Sequence, residues 1–142
     1  MKTLAYIGAA AVVSTVLVAG MHIGCGPLLQ ECTEAGCDDE LRISIKDADD
    51  NPVNTFEGEV KFDGESVEFL CDPDEGSVTG EGYHCNNDVL VLMEHPEQLE
   101  LTISSGELSA GTTLTPEYEE YHPNGPGCPP TCHQAEEAVV LQ

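Results

Sequence analysis

The feature that most constrains this fold is the alternation of apolar and polar residues in short segments that are separated by turn-forming sequences. Residues 41–46 and 99–104 show it most clearly, with aliphatic side chains at every second position, as expected for strands with one buried face. The stretch 47–52 and the Asp-Gly pair at 63–64 are strong turn signals. The predicted fold for residues 40–142 is therefore all-β, a single antiparallel β-sandwich of seven or eight strands.

Eight segments fit the strand pattern, and none beyond the N-terminal region repeats with a helical period. The segments are residues 41–46, 56–62, 67–71, 83–85, 89–93, 99–104, 107–114 and 135–141. Residues 116–130 are rich in proline and are predicted to form loops. The chain has no tryptophan and only 5% aromatic residues. We therefore expect a modest aliphatic core that disulfides supplement.

The N-terminal segment has the layout of a secretory signal, in which Lys2 precedes an apolar run and Gly24 precedes Cys25. A cysteine at this point resembles the lipobox of bacterial lipoproteins, in which the thiol is lipidated and becomes the mature N-terminus. The resemblance implies a membrane anchor through a lipid on Cys25. The implied division of the chain is a signal helix and lipoprotein signal peptide at 1–24, the lipidated cysteine and a tether at 25–39, and the β-sandwich domain at 40–142.

Two features leave other processing routes open. His22 stands where lipoboxes usually have leucine, and an ordinary cleavage near Gly20 or Gly24 would leave Cys25 as an odd thiol. The apolar run of 16 residues falls short of the ~20 that span a bilayer, so an uncleaved anchor is a third alternative. The cysteine count favours lipidation, because one lipidated cysteine out of seven leaves six that can pair after export. With Gly26 next, the resemblance implies the outer membrane, facing the periplasm or the cell surface.

The charge of the chain excludes one large class of partner. Removing residues 1–24 leaves 118 of the 142 residues, enough for one domain. This removal takes Lys2 and leaves all 27 acidic residues, so the net charge falls from −23 to −24. Phosphate backbones repel such a chain, and nucleic-acid binding is excluded. The partners that the charge favours are cationic ligands, proteins or polysaccharides, although solubility alone is the simpler explanation.

Residues 43–53, with a strand, an Asp/Asn turn and Pro-Val, resemble the opening of carboxypeptidase-regulatory-like and transthyretin-like modules. The cysteine pattern of residues 118–132 resembles that of uncharacterised cysteine-rich bacterial lipoproteins. Asp50 stands where the regulatory-like modules commonly have glycine. The resemblance implies a β-sandwich fold and a non-catalytic accessory module.

The six cysteines after Cys25 allow fifteen pairings, which the sequence alone does not resolve. Cys71 and Cys85 enclose a turn-rich segment of 13 residues between two predicted strands, and we predict a bridge between them. Two arrangements remain open for the others. One is a pair of local bridges, Cys32–Cys37 and Cys128–Cys132, and the other is a crossed arrangement that joins these two regions. In transthyretin-like sandwiches the first and last strands can share a sheet, which the crossed arrangement would suit.

Two groups of residues have side chains of the types that bind metal ions. The zinc candidates are His122, Cys128, Cys132 and His133. Their spacing differs from known zinc motifs and export favours disulfides, so a disulfide-stabilised loop is the preferred interpretation. The weak calcium candidates are Asp47, Asp49, Asp72 and Asp74, which lie in two acidic loops. No EF-hand pattern is present, so solvated turns are the preferred interpretation and no cofactor is assigned.

No nucleophile-elbow pattern or Cys-His constellation supports catalysis, and we expect this protein not to be an enzyme. The expected function is that of a membrane-anchored bacterial lipoprotein, a non-catalytic binding or structural module of the envelope or surface. The alternative is a Ca²⁺-dependent adhesion or carbohydrate-binding module.

Overall fold

The computed structural model describes residues 32–72, 74 and 79–142. It contains ten strands, numbered here in chain order. They are β1 Glu40–Lys46, β2 Phe56–Phe62, β3 Glu65–Cys71, β4 Thr79–Gly80, β5 Tyr83–Asn86, β6 Val89–Leu92, β7 Leu99–Ser105, β8 Leu108–Leu114, β9 Glu119–Tyr121 and β10 Cys132–Val140. The predicted signal helix at 1–24 lies outside the described residues. No described residue belongs to a helix long and apolar enough to cross a bilayer.

The strands form two sheets, and the predicted all-β sandwich is confirmed. One sheet has six strands in the order β4-β5-β6-β1-β10-β9, and the other has four in the order β3-β2-β7-β8. Ten strands are present instead of seven or eight because β4 and β9 are short edge strands. Neither is long enough to show an alternating pattern, and β9 lies within the region 116–130 that was predicted to be loop.

Strands β1 and β10 pair in parallel at the centre of the six-stranded sheet, while the other strand pairs of the described chain are antiparallel. In this pair Glu40 lies opposite Gln134 and Lys46 lies opposite Val140. Both strands therefore begin at the same end of the sandwich. The chain enters the domain at that end, immediately before β1.

Alternation along the strands builds the core between the sheets. In β1 the burial pattern changes at every residue, with Leu41, Ile43 and Ile45 fully buried. The side chains of Val60 and Leu101, which lie opposite each other in the second sheet, are buried too. The wider core consists of Leu41, Ile43, Ile45, Phe56, Val60, Phe69, Cys71, Cys85, Leu90, Leu92, Leu99, Leu101, Ile103, Ala135, Val139 and Leu141. The core is mainly aliphatic, as its composition predicts.

Three disulfides join parts of the chain. One joins Cys71 to Cys85, the pair favoured by the spacing. The other two are crossed, Cys32–Cys128 and Cys37–Cys132, and span 96 and 95 residues of sequence. We call these two bridges the staple. Disulfides persist in oxidising compartments, so three of them indicate an exported protein.

Candidate functional site

Two histidines and an aspartate meet at the end of the sandwich where β1 and β10 begin. Asp39 directly precedes β1, His133 is the second residue of β10, and His95 lies in the connection between β6 and β7. Because β1 and β10 run in parallel with Glu40 opposite Gln134, Asp39 falls beside His133. We call Asp39, His95 and His133 the histidine–aspartate cluster.

The Asp39 carboxylate is shared between the two imidazole rings. Its Oδ2 lies 2.6 Å from His95 Nδ1, and its Oδ1 lies 3.2 Å from His133 Nδ1. Oδ1 also accepts a hydrogen bond of 2.7 Å from the His133 backbone N–H. The two rings are stacked, with centroids 4.6 Å apart and planes 21° apart. Both Nδ1 atoms therefore point to a single negative charge.

The surroundings of Asp39 keep its carboxyl group ionised. Partial burial opposes ionisation, but the backbone and ring hydrogen bonds from His133 and the charge of His95 outweigh it, and the pKa of Asp39 is lowered from its ordinary value. The side chains remain accessible, with relative exposures of 29% for Asp39, 48% for His95 and 33% for His133. Small solutes can reach the cluster from bulk water.

Tyr118 forms one wall of the cluster. Its hydroxyl donates a hydrogen bond of 3.1 Å to the Pro96 carbonyl, and its ring meets the His95 ring edge-on at 5.9 Å. Burial, together with the negative charges of Asp39 and Glu137, raises the pKa of Tyr118 to about 12. The phenol therefore stays neutral throughout the ordinary pH range and holds the loop that carries His95.

An alkaline titration should detect this environment. A raised pKa in the folded state means that Tyr118 stabilises the fold fully below pH ~10, the ordinary tyrosine value, and that this contribution is lost as the pH rises towards about 12. We expect the tyrosinate absorbance of the wild type minus that of Tyr118→Phe to show one transition centred near pH 12. A difference transition centred near pH ~10 would contradict the buried, negatively charged environment.

The staple and one buried amide hold Asp39 and His133 in place. Cys37 and Cys132, which form one bridge, lie close in sequence to Asp39 and His133. Asn124 is buried and ties the segment 32–39 to the 122–130 loop. Its side-chain amide donates to the carbonyls of Ala35 (2.9 Å) and Pro129 (2.6 Å), and its oxygen accepts from the Ala35 N–H (3.0 Å) and the Thr33 hydroxyl. The described part of the predicted tether, residues 32–39, is thus attached to the rest of the domain at Cys32, Thr33, Ala35, Cys37 and Asp39.

The four zinc candidates do not form a common site. Cys128 and Cys132 belong to two different disulfides, so their sulfurs are not thiolates. The His122 ring contacts the Thr131 hydroxyl and Glu120, whereas His133 faces Asp39. Of this set, only His133 contributes to the histidine–aspartate cluster.

The calcium candidates lie in two turns at the opposite end of the sandwich. The Asp47 carboxylate accepts hydrogen bonds from the Asp49 N–H and from the backbone and side-chain amides of Asn51. These hydrogen bonds, the Asn51 side chain first, lower the pKa of Asp47. Asp72 likewise accepts from the Asp74 N–H. Both carboxylates therefore act as turn-forming groups of the kind that Asp provides.

Sequence reasoning did not identify Asp39, His95, Tyr118 or Asn124 as site residues. The signal that could have found Asp39 was its position: it lies two residues after Cys37, as His133 lies one after Cys132. The crossed disulfide arrangement, together with the parallel pairing of β1 and β10, makes those two positions neighbours. Cys25, the predicted lipidation site, lies outside the described residues.

The chain matches no protein family, no curated protein and no solved structure.

Proposed function

We propose that this protein is a lipid-anchored module of the bacterial envelope, held at the outer membrane through Cys25, with a non-catalytic binding or structural role. The observation that carries the proposal is the staple. Two disulfides fix the chain to the sandwich directly after the segment that contains Cys25. A domain held by its N-terminus needs such a covalent attachment more than one that is free in solution.

The path that a force applied at the N-terminus would take through the domain explains why the two bridges suit an anchored protein. The bridges join residues 32 and 37 to the chain just before and at the start of β10, and β10 pairs with β1 inside the six-stranded sheet. Tension would pass into two central strands instead of peeling an edge strand away. Cys32 is seven positions after Cys25, which is a distance of at most ~25 Å for extended chain.

Charge supports the anchor, and the disulfides support a role without a cysteine nucleophile. A mature chain with 27 acidic and three basic residues is repelled by anionic lipid surfaces, so a covalent lipid supplies an attachment that electrostatics would not. The six described cysteines are all in disulfides and offer no thiol nucleophile in this part of the chain. A cationic, protein or polysaccharide partner fits the acidic surface.

Metabolic labelling with a fatty acid in a bacterial host tests the anchor. We expect the wild type to incorporate label and to fractionate with outer membranes, and Cys25→Ser to incorporate none. Cys71→Ser, which changes a cysteine within the sandwich, is the matched control and should remain labelled. His22→Leu introduces the leucine that lipoboxes usually have at this position and should increase the fraction of the protein that is processed. Label on Cys25→Ser, or none on the wild type, would refute lipidation at Cys25.

A further inference from the structure

We propose that Asp39, His95 and His133 bind a divalent transition-metal ion of the zinc class. Each residue offers one ligand atom, and the three atoms lie within 4.8 Å of one another. Imidazole nitrogens with a carboxylate oxygen form a ligand set that suits zinc and its neighbours. Three protein ligands with an open position correspond to zinc sites in which water completes the coordination.

A bound ion requires the ligand atoms to lie somewhat farther apart than the hydrogen-bond distances observed within the cluster. Zinc bonds to nitrogen and oxygen are ~2.0–2.2 Å long, which places tetrahedral ligand atoms ~3.4 Å apart. The Nδ1 atoms lie 2.6 and 3.2 Å from the two Asp39 oxygens. The ring planes differ by 21°, so a shared ion requires the rings to splay by rotation about their side-chain bonds. His95, which is on a loop and 48% exposed, can make this rotation.

The charge balance around Asp39 also favours a cation. The three described lysine and arginine side chains pair elsewhere, with Glu40, Asp50 and Glu59. Among the described residues, the ion pairs of Asp39 are with the imidazoles of His95 and His133, which are also metal ligands. A net charge of −23 for the chain raises the local concentration of cations at the surface.

The fold preorganises two of the three ligands. The Cys37–Cys132 bridge and the parallel β1–β10 register fix Asp39 against His133 before any ion arrives. The hydrogen bond from the His133 N–H to Asp39 holds the carboxylate orientation. Binding then requires little more than a rotation of the His95 side chain, and preorganisation of this kind strengthens affinity.

Calorimetric titration of ZnCl₂ into the full chain, purified in detergent and treated with a chelator, tests the proposal. We expect one strong site per chain in the wild type, and binding weaker by about tenfold or more in Asp39→Asn, His95→Gln and His133→Gln. His84→Gln, which changes a histidine in β5 away from the cluster, is the matched control and should bind like the wild type.

A titration with CaCl₂ distinguishes binding at this site from non-specific binding of cations to the acidic surface. CaCl₂ should give the same weak response in the wild type and in His95→Gln, because an imidazole pair does not suit calcium. Melting curves without metal establish that each variant is folded, and His95→Gln, at an exposed loop position, should melt like the wild type. Wild-type zinc binding without a single strong site, or full zinc binding by folded His95→Gln and Asp39→Asn, would overturn the proposal.

Discussion

Replacing all four staple cysteines with alanine is expected to lower the free energy of unfolding by about 7.4 kcal/mol through chain entropy, whereas removing either bridge alone should cost about 2.7 kcal/mol. The reason is that the two bridges close overlapping loops. Cys32–Cys128 and Cys37–Cys132 span 96 and 95 residues, and closing a loop of that length removes about 4.7 kcal/mol of chain entropy from the unfolded state.

Once one bridge is present, the second closes only a small ring. That ring contains six residues on one arm, 32–37, and five on the other, 128–132. The chain-entropy cost of so small a ring is about 2.7 kcal/mol, so the loss of both bridges exceeds the two single losses by about 2 kcal/mol. The four-cysteine variant should therefore be close to unfolding, since small domains are stable by only ~5–15 kcal/mol.

Urea denaturation of the three staple variants measures these differences, and removal of Cys71–Cys85 is the control. This bridge spans 14 residues and is nested within both staple loops, so it closes its own short loop whether or not the staple is present. Its removal should cost about 3 kcal/mol from loop entropy, plus a cavity cost because both cysteines are buried. The buried Cys128 and Cys132 add a similar cost to the staple variants, but this cost is additive and leaves the excess of the double loss unchanged. Purely additive losses for the two staple bridges, or a four-cysteine variant as stable as a single-bridge variant, would show that the overlapping-loop account is wrong.

The second large effect is expected from Gly58→Ala, a change of one methyl group. Gly58 lies in β2, and a Cβ atom there would be 2.1 Å from the Thr102 carbonyl oxygen and 2.8 Å from Phe69 Cζ. The nearer contact is backbone of the neighbouring strand β7, which cannot move without disturbing the β2–β7 pairing. We expect the free energy of unfolding to fall by about 3 kcal/mol, at the upper end of ordinary overpacking.

Gly111→Ala is the matched control in the same sheet. Gly111 lies in β8, and a Cβ atom there would have no neighbour within 4 Å. Alanine should leave stability unchanged or raise it by about 0.4–1 kcal/mol through the unfolded state. Equal stability of Gly58→Ala and Gly111→Ala in urea denaturation would contradict the close approach of β2 and β7.

Much of this fold follows from the sequence because strands with one buried face repeat every two residues. The alternation in 41–46 predicts β1 and its buried side chains, and the Asp-Gly pair at 63–64 predicts the β2–β3 hairpin, where both residues have positive φ (50° and 81°). Strands β4 and β9, with two and three residues, are too short for such a pattern. Their pairing is decided by the neighbouring strands β5 and β10.

The histidine–aspartate cluster could not be predicted in the same way because its members are far apart in sequence. Asp39 and His133 meet through the parallel register of β1 and β10, and the sequence left the required crossed disulfides as one of two arrangements. His95 comes from a loop whose path depends on Tyr118 and its hydrogen bond to Pro96. Local sequence patterns carry no information about such long-range contacts.

The staple also connects the proposed anchor with the proposed metal site. The Cys37–Cys132 bridge lies between the segment that leads from Cys25 and the ligand pair Asp39–His133. Loss of this bridge should therefore both destabilise the fold and loosen the cluster. The anchor, the disulfides and the cluster all depend on the chain being exported and oxidised.

The intact mass of the protein purified from membranes, before and after reduction, tests this account most directly. We predict a chain that begins at an acylated Cys25 and gains about six hydrogens on reduction, two for each of the three disulfides. An unmodified Cys25, or no mass gain on reduction because the six other cysteines are free thiols in the native protein, would contradict it.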